Sequence, residues 1–348
     1  MPHGQHLTII DLARRLDLSP AAVSYALNNR PGVSQQTRDR VQALARELGW
    51  YPSASAQALS RARTGSIGVV LSRTPELIGT EPYYMQIIAG IERVLTEANM
   101  SLTLRMVDPD SGADLAIYER WAGERRVEGV ILFDEHVDDP RLPLLEGLEL
   151  PAVLQGGPSG SSIVLSVEND DEEVAEMIVD AFAALGHEQI TYLTGPQQMM
   201  HERRRLAAVI AQAERRGLRL ESIEGDYTLG GARELVTQRL SADPLPTAIT
   251  CSNDLMSISA LHAIEEAGLA VPGDISLISW DDSLLCSITR PEVTAVDRHP
   301  VAYGMRTAQV LLSLIRGEPG DLPAPPRSQL VVRGTTGPAP GWLPTATL

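Results

Sequence analysis

The chain has 348 residues, 43% of them hydrophobic and 21% charged, with a formal net charge of −16. That length suits two or three domains, and the composition excludes a disordered chain. No run nears 18 uninterrupted apolar residues, MPHGQHLTII lacks a secretory apolar stretch, and Cys251 and Cys286 lack metal-ligand spacing, so a cytoplasmic protein without metal, cofactor or membrane partner is expected.

The charge is unevenly placed. Residues 1–65 hold eight Arg against four Asp or Glu, a net +4, which leaves −20 for the remainder. A basic head on an acidic body can hold phosphate locally while the body is repelled from a duplex. The chain has no Lys, so every fixed cation is an Arg, whose fork suits phosphate and guanine.

Thr8 and Asp11 form a capping-box pattern that opens a first helix, with Ile10, Ala13 and Leu16 expected as its buried stripe. The turn Asp17-Leu18-Ser19 ends at an N-cap, and Pro20 takes the first helical position, where its missing N–H costs nothing. In the second helix Val23, Ala26 and Leu27 face inward, leaving Pro20, Ala21, Ala22, Tyr25 and Asn29 outward. Ser34 caps a third helix, whose Val41, Leu44, Ala45 and Leu48 close the core. A helix with small side chains and one Tyr outward, in an Arg-bearing module, suits a DNA groove. The same pattern also suits a three-helix module that binds protein. Residues 53–60, SASAQALS, have helical propensity but one large apolar side chain, Leu59, too little for an isolated helix.

Beyond residue 65 short apolar runs alternate with amphipathic stretches. SIGVVL (66–71), SLTLRMV (101–107), GVILF (129–133), AVLQ (152–155), IVLSV (163–167), ITYLTG (190–195), AITC (248–251) and ISLISW (275–280) read as strands. Segments such as 84–99, 171–186 and 257–269 read as the helices between them, which predicts parallel sheets covered on both faces. No GxGxxG, Walker or GxSxG motif follows a strand, which argues against a nucleotide or hydrolase site. Ligands of open α/β sheets bind beyond the carboxyl ends of strands, which singles out Asp134, Gln155, the Gly195 loop, Asn253-Asp254 and Asp281-Asp282. Amides and carboxylates there suit a polyhydroxylated ligand, and no spacing fixes the carboxylate separation that hydrolysis needs. Asn253, Asp254, Asp281 and Asp282 can equally cap the helices that follow them. Arg203–Arg205 reads mostly as a solvated helix face, and His187 as a structural hydrogen-bonder.

The motifs TIIDLA (8–13), LSPAAVSYALN (18–28), VSQQTRDRV (33–41) and LGWYPSASAQAL (48–59) resemble the head of the lac repressor/galactose repressor (LacI/GalR) family of bacterial transcription regulators. ALGHEQITYLTGP (184–196), PTAITCSND (246–254), VPGDISLISWDD (271–282) and PEVTAV (291–296) resemble its effector-binding core, which is similar to periplasmic sugar-binding proteins. The resemblance implies an all-α helix-turn-helix headpiece (1–52), a hinge (53–63) and an α/β two-lobed core with parallel sheets (64–337). Within that core it places the N-lobe near 64–167 and 298–324 and the C-lobe near 168–297 and 325–337, followed by a tail (338–348). It implies a repressor, not an enzyme, acting as a homodimer or tetramer on palindromic double-stranded operator DNA under control of a small polar effector, a sugar or derivative. A nucleoside or purine effector, or none, is the alternative. The Pro/Gly-rich C-terminus has no heptads, which favours the dimer.

Carried onto this sequence, the resemblance implies DNA contacts from Ser19, Pro20, Ala21, Ala22, Ser24, Tyr25, Asn28 and Ser34, with Ala56 and Leu59 of the hinge in the minor groove. The implied effector contacts are Tyr83, Tyr84, Phe133, Gln155, His201, Arg205, Tyr227, Asn253, Asp281 and Arg298. The chain departs from the family's habit at Ala22 (often Thr), Tyr25 (often Arg), Phe133 (often polar), Gln155 (often Asp) and Ala208 (usually Gly). Arg298 and His201 stand where smaller or neutral groups are frequent, so an acidic ligand is admitted beside a neutral sugar.

Overall fold

The computed structural model describes residues 7–51, 64–73, 80–157, 164–318 and 325–342. The chain divides into two units, Met1–Thr64 and Gly65–Leu348. The hinge residues Ala56 and Leu59 lie outside the described residues.

In the first unit α1 (Ile9–Leu16), α2 (Pro20–Leu27) and α3 (Gln35–Glu47) close around Leu12, Ala13, Val23, Ala26, Val41 and Ala45. Thr8 and Asp11 form the capping box, and Ser19 and Ser34 cap α2 and α3. Ile10, expected in the buried stripe, is 55% exposed instead. Positions 9, 12, 13 and 16 share one helical face, and a stripe begun at residue 10 is one residue out of phase. Trp50 Nε1 donates to the Leu7 carbonyl at 2.7 Å and ties the ends of the bundle together.

The second unit opens with β1 (Ser66–Ser72), α4 (Pro82–Glu97), β2 (Ser101–Val107), α5 (Ala113–Gly123), β3 (Gly129–Leu132), α6 (Arg141–Gly147), β4 (Ala152–Gln155) and β5 (Val164–Val167). These strands make an all-parallel sheet in the order β2-β1-β3-β4-β5. Next come α7 (Asp171–Ala184), β6 (Gln189–Thr194), α8 (Met200–Arg216), β7 (Arg219–Glu224), α9 (Leu229–Leu240), β8 (Ala248–Cys251), α10 (Asp254–Glu266), β9 (Ser276–Ser279), α11 (Leu284–Ile288) and β10 (Thr294–Asp297). The chain then returns to the first sheet as α12 (Pro300–Arg316) and ends in the second as β11 (Gln329–Val331). The second sheet runs β11-β10-β9-β8-β6-β7, with β11 antiparallel.

Each sheet reverses its winding at one point, between β1 and β3 in the N-lobe and between β6 and β8 in the C-lobe. Such switch points leave a crevice at the strands' carboxyl ends. The segments 168–170 and 298–299 carry the chain between the lobes. The strands β7, β10 and β11 were absent from the sequence reading. β7 is a polar edge strand with no fully buried residue, and the other two are only three or four residues long. Residues 338–342, expected as tail, pack on the C-lobe: Ala339 N–H donates to the Leu185 carbonyl at 2.8 Å, and the Trp342 ring lies against Gly186. His187 is the hydrogen-bonder expected of it, meeting Thr247, Ser276 and the Gly337 carbonyl.

The N-lobe depends on a close helix crossing. A methyl group on Gly90 of α4 would strike the Val301 carbonyl, and one on Gly304 of α12 would strike the Ile87 carbonyl. Only Gly lets the two backbones meet there, and overpacking such a contact costs about 1–3 kcal/mol. Gly304→Ala is therefore expected to lower the melting temperature of the second unit in calorimetry. An unchanged transition would show that the crossing can relax.

Candidate functional site

On the head, Ser19, Pro20, Ala21 and Ser34 are exposed, Tyr25 is 41% exposed, and Ala22, Ser24 and Asn28 are half-buried. Ser19 Oγ accepts from the Ala22 N–H at 3.1 Å and Ser34 Oγ from the Thr37 N–H at 3.2 Å, which orients both helix starts. Asn28 Nδ2 donates to the Ser24 carbonyl at 3.0 Å. The Tyr25 ring packs on Gly32, whose φ of +116° disfavours a side chain. The resulting surface offers exposed helix N-termini and apolar methyls, with few base-reading donors.

The body's site grows from the C-lobe switch point. Glu202, fully buried in the first turn of α8, accepts from four donors. Oε1 takes Arg205 Nη1 at 2.9 Å and Tyr227 OH at 2.8 Å; Oε2 takes the Gly195 N–H and Ser252 Oγ, both at 2.6 Å. Arg205 also reaches Asp171 at 3.3 Å, and its guanidinium lies 5.0 Å over the Trp280 ring. Arg298 pairs with Asp281 at 2.9 Å and lies 3.7 Å from Asp171. His201 stacks on Tyr227 at 6.4 Å and meets its hydroxyl at 2.8 Å. Burial, then the Arg205 charge, pushes the His201 imidazole well below its ordinary value, so it is neutral near pH 7.

At the N-lobe switch point Arg73 follows β1 and Asp134 follows β3. Arg73 Nε meets Asp134 at 3.1 Å, Arg73 Nη2 donates to Tyr84 OH at 2.8 Å, and that hydroxyl donates to Asp134 at 2.6 and 2.7 Å. Burial alone would raise the Asp134 carboxyl; the Arg73 charge leads the groups that outweigh it and hold it at about 2. Arg73 also bridges the lobes. Its guanidinium lies 5.3 Å from the Tyr84 ring and 5.1 Å from that of Tyr227, with Met199 Sδ at 3.8 Å. Beside it the Val137 N–H donates to the Gln198 carbonyl and the Met200 N–H to the Glu135 carbonyl, so backbone joins backbone across the cleft. Arg204, expected in solvent, instead reaches Glu135 at 3.3 Å and the Gly156 carbonyl.

The structure thus gathers nearly all the expected effector residues into one cleft. Tyr83, Tyr84, Phe133, Gln155, His201 and Arg205 line a chamber of about 40 Å³, with Asn169 and Asp134. Asp281 and Arg298 line a smaller one of about 10 Å³, with Tyr83 and Asp254. Tyr227 touches both His201 and Arg73. Asn253 is the exception in role: its Oδ1 accepts from the Met256 N–H at 2.8 Å, so it is the N-cap of α10. Asp254 is the first residue of that helix, and Ser283 rather than Asp282 caps α11, because Asp282 is drawn into an ion pair with Arg333 at 2.7 Å. Arg73, Asp171 and Glu202 were missing from the sequence-based set. Arg73 and Asp171 directly follow or open elements at the sheet ends, but Glu202 has no strand-end signal. Arg298, which with His201 admitted an acidic ligand in the sequence reading, is paired with Asp281 and lies near Asp171, and burial lowers the His201 imidazole. No group of three or more metal-ligating side chains occurs among the described residues, and none of their helices is long and apolar enough to cross a membrane.

A helix-turn-helix head and a two-lobed body with a polar cleft together define a DNA-binding transcription regulator. Residues 8–53 match the bacterial regulatory proteins of the lacI family, and residues 179–336 match a periplasmic binding protein-like domain. The HTH-type transcriptional regulator AglR of Rhizobium meliloti (strain 1021) is 31% identical, over 96% of this chain and 95% of its own. Among solved structures, the lac repressor dimer bound to operator and the anti-inducer ONPF is 28% identical with a TM-score of 0.83, covering 96% of this chain and 100% of that one. The transcriptional regulator CelR in complex with cellobiose is 25% identical with a TM-score of 0.71, covering 94% and 99%. The chain belongs to the lacI family of bacterial transcription regulators, and not to an enzyme class.

The cleft also carries a pH signature. Burial, unmatched by the nearby Arg73, raises the Glu81 carboxyl to about 7, and one of its oxygens, Oε2, is buried without a partner. A carboxyl raised in the folded state costs nothing below its ordinary value of 4.5 and lowers stability progressively as pH rises toward 7. Chemical denaturation at pH 5 and pH 8 is expected to show greater stability at pH 5 from this group, by at most about 1.4 kcal/mol per pH unit. Glu81→Gln should flatten that slope, and an unaltered slope would assign it elsewhere.

Proposed function

We propose that the protein is a repressor that binds a palindromic operator as a homodimer and is controlled by a neutral, polyhydroxylated effector, a sugar or sugar derivative, held between the lobes. One observation carries the effector reading. Gln155 is only 7% exposed, yet neither its Oε1 nor its Nε2 has a partner, and it faces the chamber where Asn169 Oδ1 is also unpaired. A buried amide left unpaired costs about 1–3 kcal/mol, which hydroxyl groups, each both donor and acceptor, can recover. The buried Arg side chains are matched by carboxylates, so neutral groups discriminate. A nucleobase is disfavoured because the Tyr83, Tyr84 and Tyr227 rings already carry Arg298 or Arg73 over them. The cellobiose bound by the CelR structure agrees with this reading.

On the DNA side, Pro20, Ala21, Ala22 and Tyr25 would enter the major groove, and Ser19, Ser24, Asn28 and Ser34 would approach phosphates. Ala56 and Leu59 would occupy the minor groove, with Leu59 as the wedge. The homodimer is supported by α11, where Leu284 and Ile288, one turn apart, are 74% and 61% exposed. A useful switch requires the effector to favour one lobe arrangement by about 1–3 kcal/mol.

The test is a melting-temperature screen of neutral sugars followed by fluorescence anisotropy on DNA selected by the protein from a random pool. A sugar that raises the melting temperature is expected to change operator affinity at least fivefold. Gln155→Leu should weaken that sugar at least tenfold while still binding DNA. Failure of every neutral sugar to move either quantity would overturn the effector reading.

A further inference from the structure

The inner chamber, at about 40 Å³, has room for only a few waters, at about 10–15 Å³ each. Ligand pockets commonly measure about 300–1,000 Å³. Space on that scale exists directly outside it, in a groove of about 620 Å³ between the Glu168–Glu173 segment and the Ala207–Arg215 face of α8. Gly156 and Asn169 line both spaces, so they form a shared threshold. Another rim of the cleft is closed by the backbone bonds joining residues 135–137 to 198–200.

We propose that this groove is a second subsite and that the effector is a neutral oligosaccharide of at least two units, with one unit at Gln155 and Asn169 and the next along α8. This rests on the polyol reading above. The deep end is marked by the buried, unpartnered carboxamide of Gln155, which ligand hydroxyls would satisfy, and the threshold is kept narrow-walled by two glycines. Gly156 has a φ of +105°, and a Cβ there would sit 3.1 Å from Asn169 Nδ2; a Cβ on Gly157 would strike the Arg204 guanidinium. Side chains at either position would crowd the passage.

The groove's chemistry fits sugar rather than acid. Glu168, Glu172 and Glu173 outnumber Arg204 and Arg215 along it, so vicinal hydroxyls find carboxylate acceptors while a uronate would be repelled. Ala207 and Ala211, one helical turn apart, supply a flat apolar strip for the C–H face of a pyranose.

Isothermal titration of the full-length protein with glucose, galactose and mannose, and with their 1,4-linked di- and trisaccharides in both anomeric linkages, tests the proposal. One oligosaccharide is expected to bind at least tenfold tighter than its own monosaccharide. Ala211→Trp, which fills the groove, should bring that ratio close to one; Ala207→Trp, at an exposed position, provides the same test should the first variant fold poorly. A monosaccharide that binds as tightly as its oligomers, or a ratio that survives both variants, would refute the second subsite and leave the polyol reading standing. Binding by no member of the series would remove the polyol reading and the subsite together.

Discussion

The cleft is organised around the burial of one carboxylate. Glu202 has no exposed surface, and its oxygens are held by a guanidinium, a phenol, a hydroxyl and a backbone N–H. Removing a carboxylate from water costs several kcal/mol, and the cost is offset only where every lone pair finds a donor in good geometry. Here the donors come from the ends of β6 and β8, from α8 and from the loop after β7, so satisfying Glu202 fixes all four against one another. Arg205, once paired with Glu202, extends the arrangement to Asp171, and Arg298 carries it on to Asp281. The cleft's charges are thereby spent on its own architecture, which leaves the Gln155 carboxamide and Asn169 Oδ1 as polar groups without a partner beside the chamber.

The same network ties site geometry to lobe geometry. Arg73 belongs to the end of an N-lobe strand yet rests on Tyr227, a direct partner of Glu202. Arg204 stands beside Arg205 in sequence and grips the opposite lobe. A ligand that displaces either guanidinium changes how the lobes are held, which is the differential contact a conformational switch needs. No remote relay is required, because the cross-lobe contacts lie within the cleft itself.

The fold was legible where periodicity and strand-end position carry the signal. The three head helices and their Ser19 and Ser34 caps, the central strands and the crevice residues Asp134, Gln155 and Asp281 all follow local rules. What escaped lacked such a signal. Ile10 was misplaced because a short helix tolerates two phases of apolar spacing, and packing chose the one through Leu12. β7 is an edge strand whose outer side chains face solvent, so no apolar run marks it. Glu202 and Arg204 look like ordinary polar positions on a charged helix; only the partner loops, distant in sequence, reveal that one is buried and the other crosses to the second lobe. Asn253 shows the converse, since a polar residue at a strand end was needed by the next helix.

The crossing of α4 and α12 at Gly90 and Gly304 has a consequence for biogenesis. The helix that completes the N-lobe is encoded after nearly the whole C-lobe, so as the chain leaves the ribosome the first sheet waits with the side of α4 around Ile87 and Ile91 uncovered. Order of synthesis and order of assembly therefore differ. The C-lobe behaves, from the N-lobe's standpoint, as an inserted domain, and a nascent chain arrested before residue 300 exposes a sticky half-built lobe for chaperones to shelter.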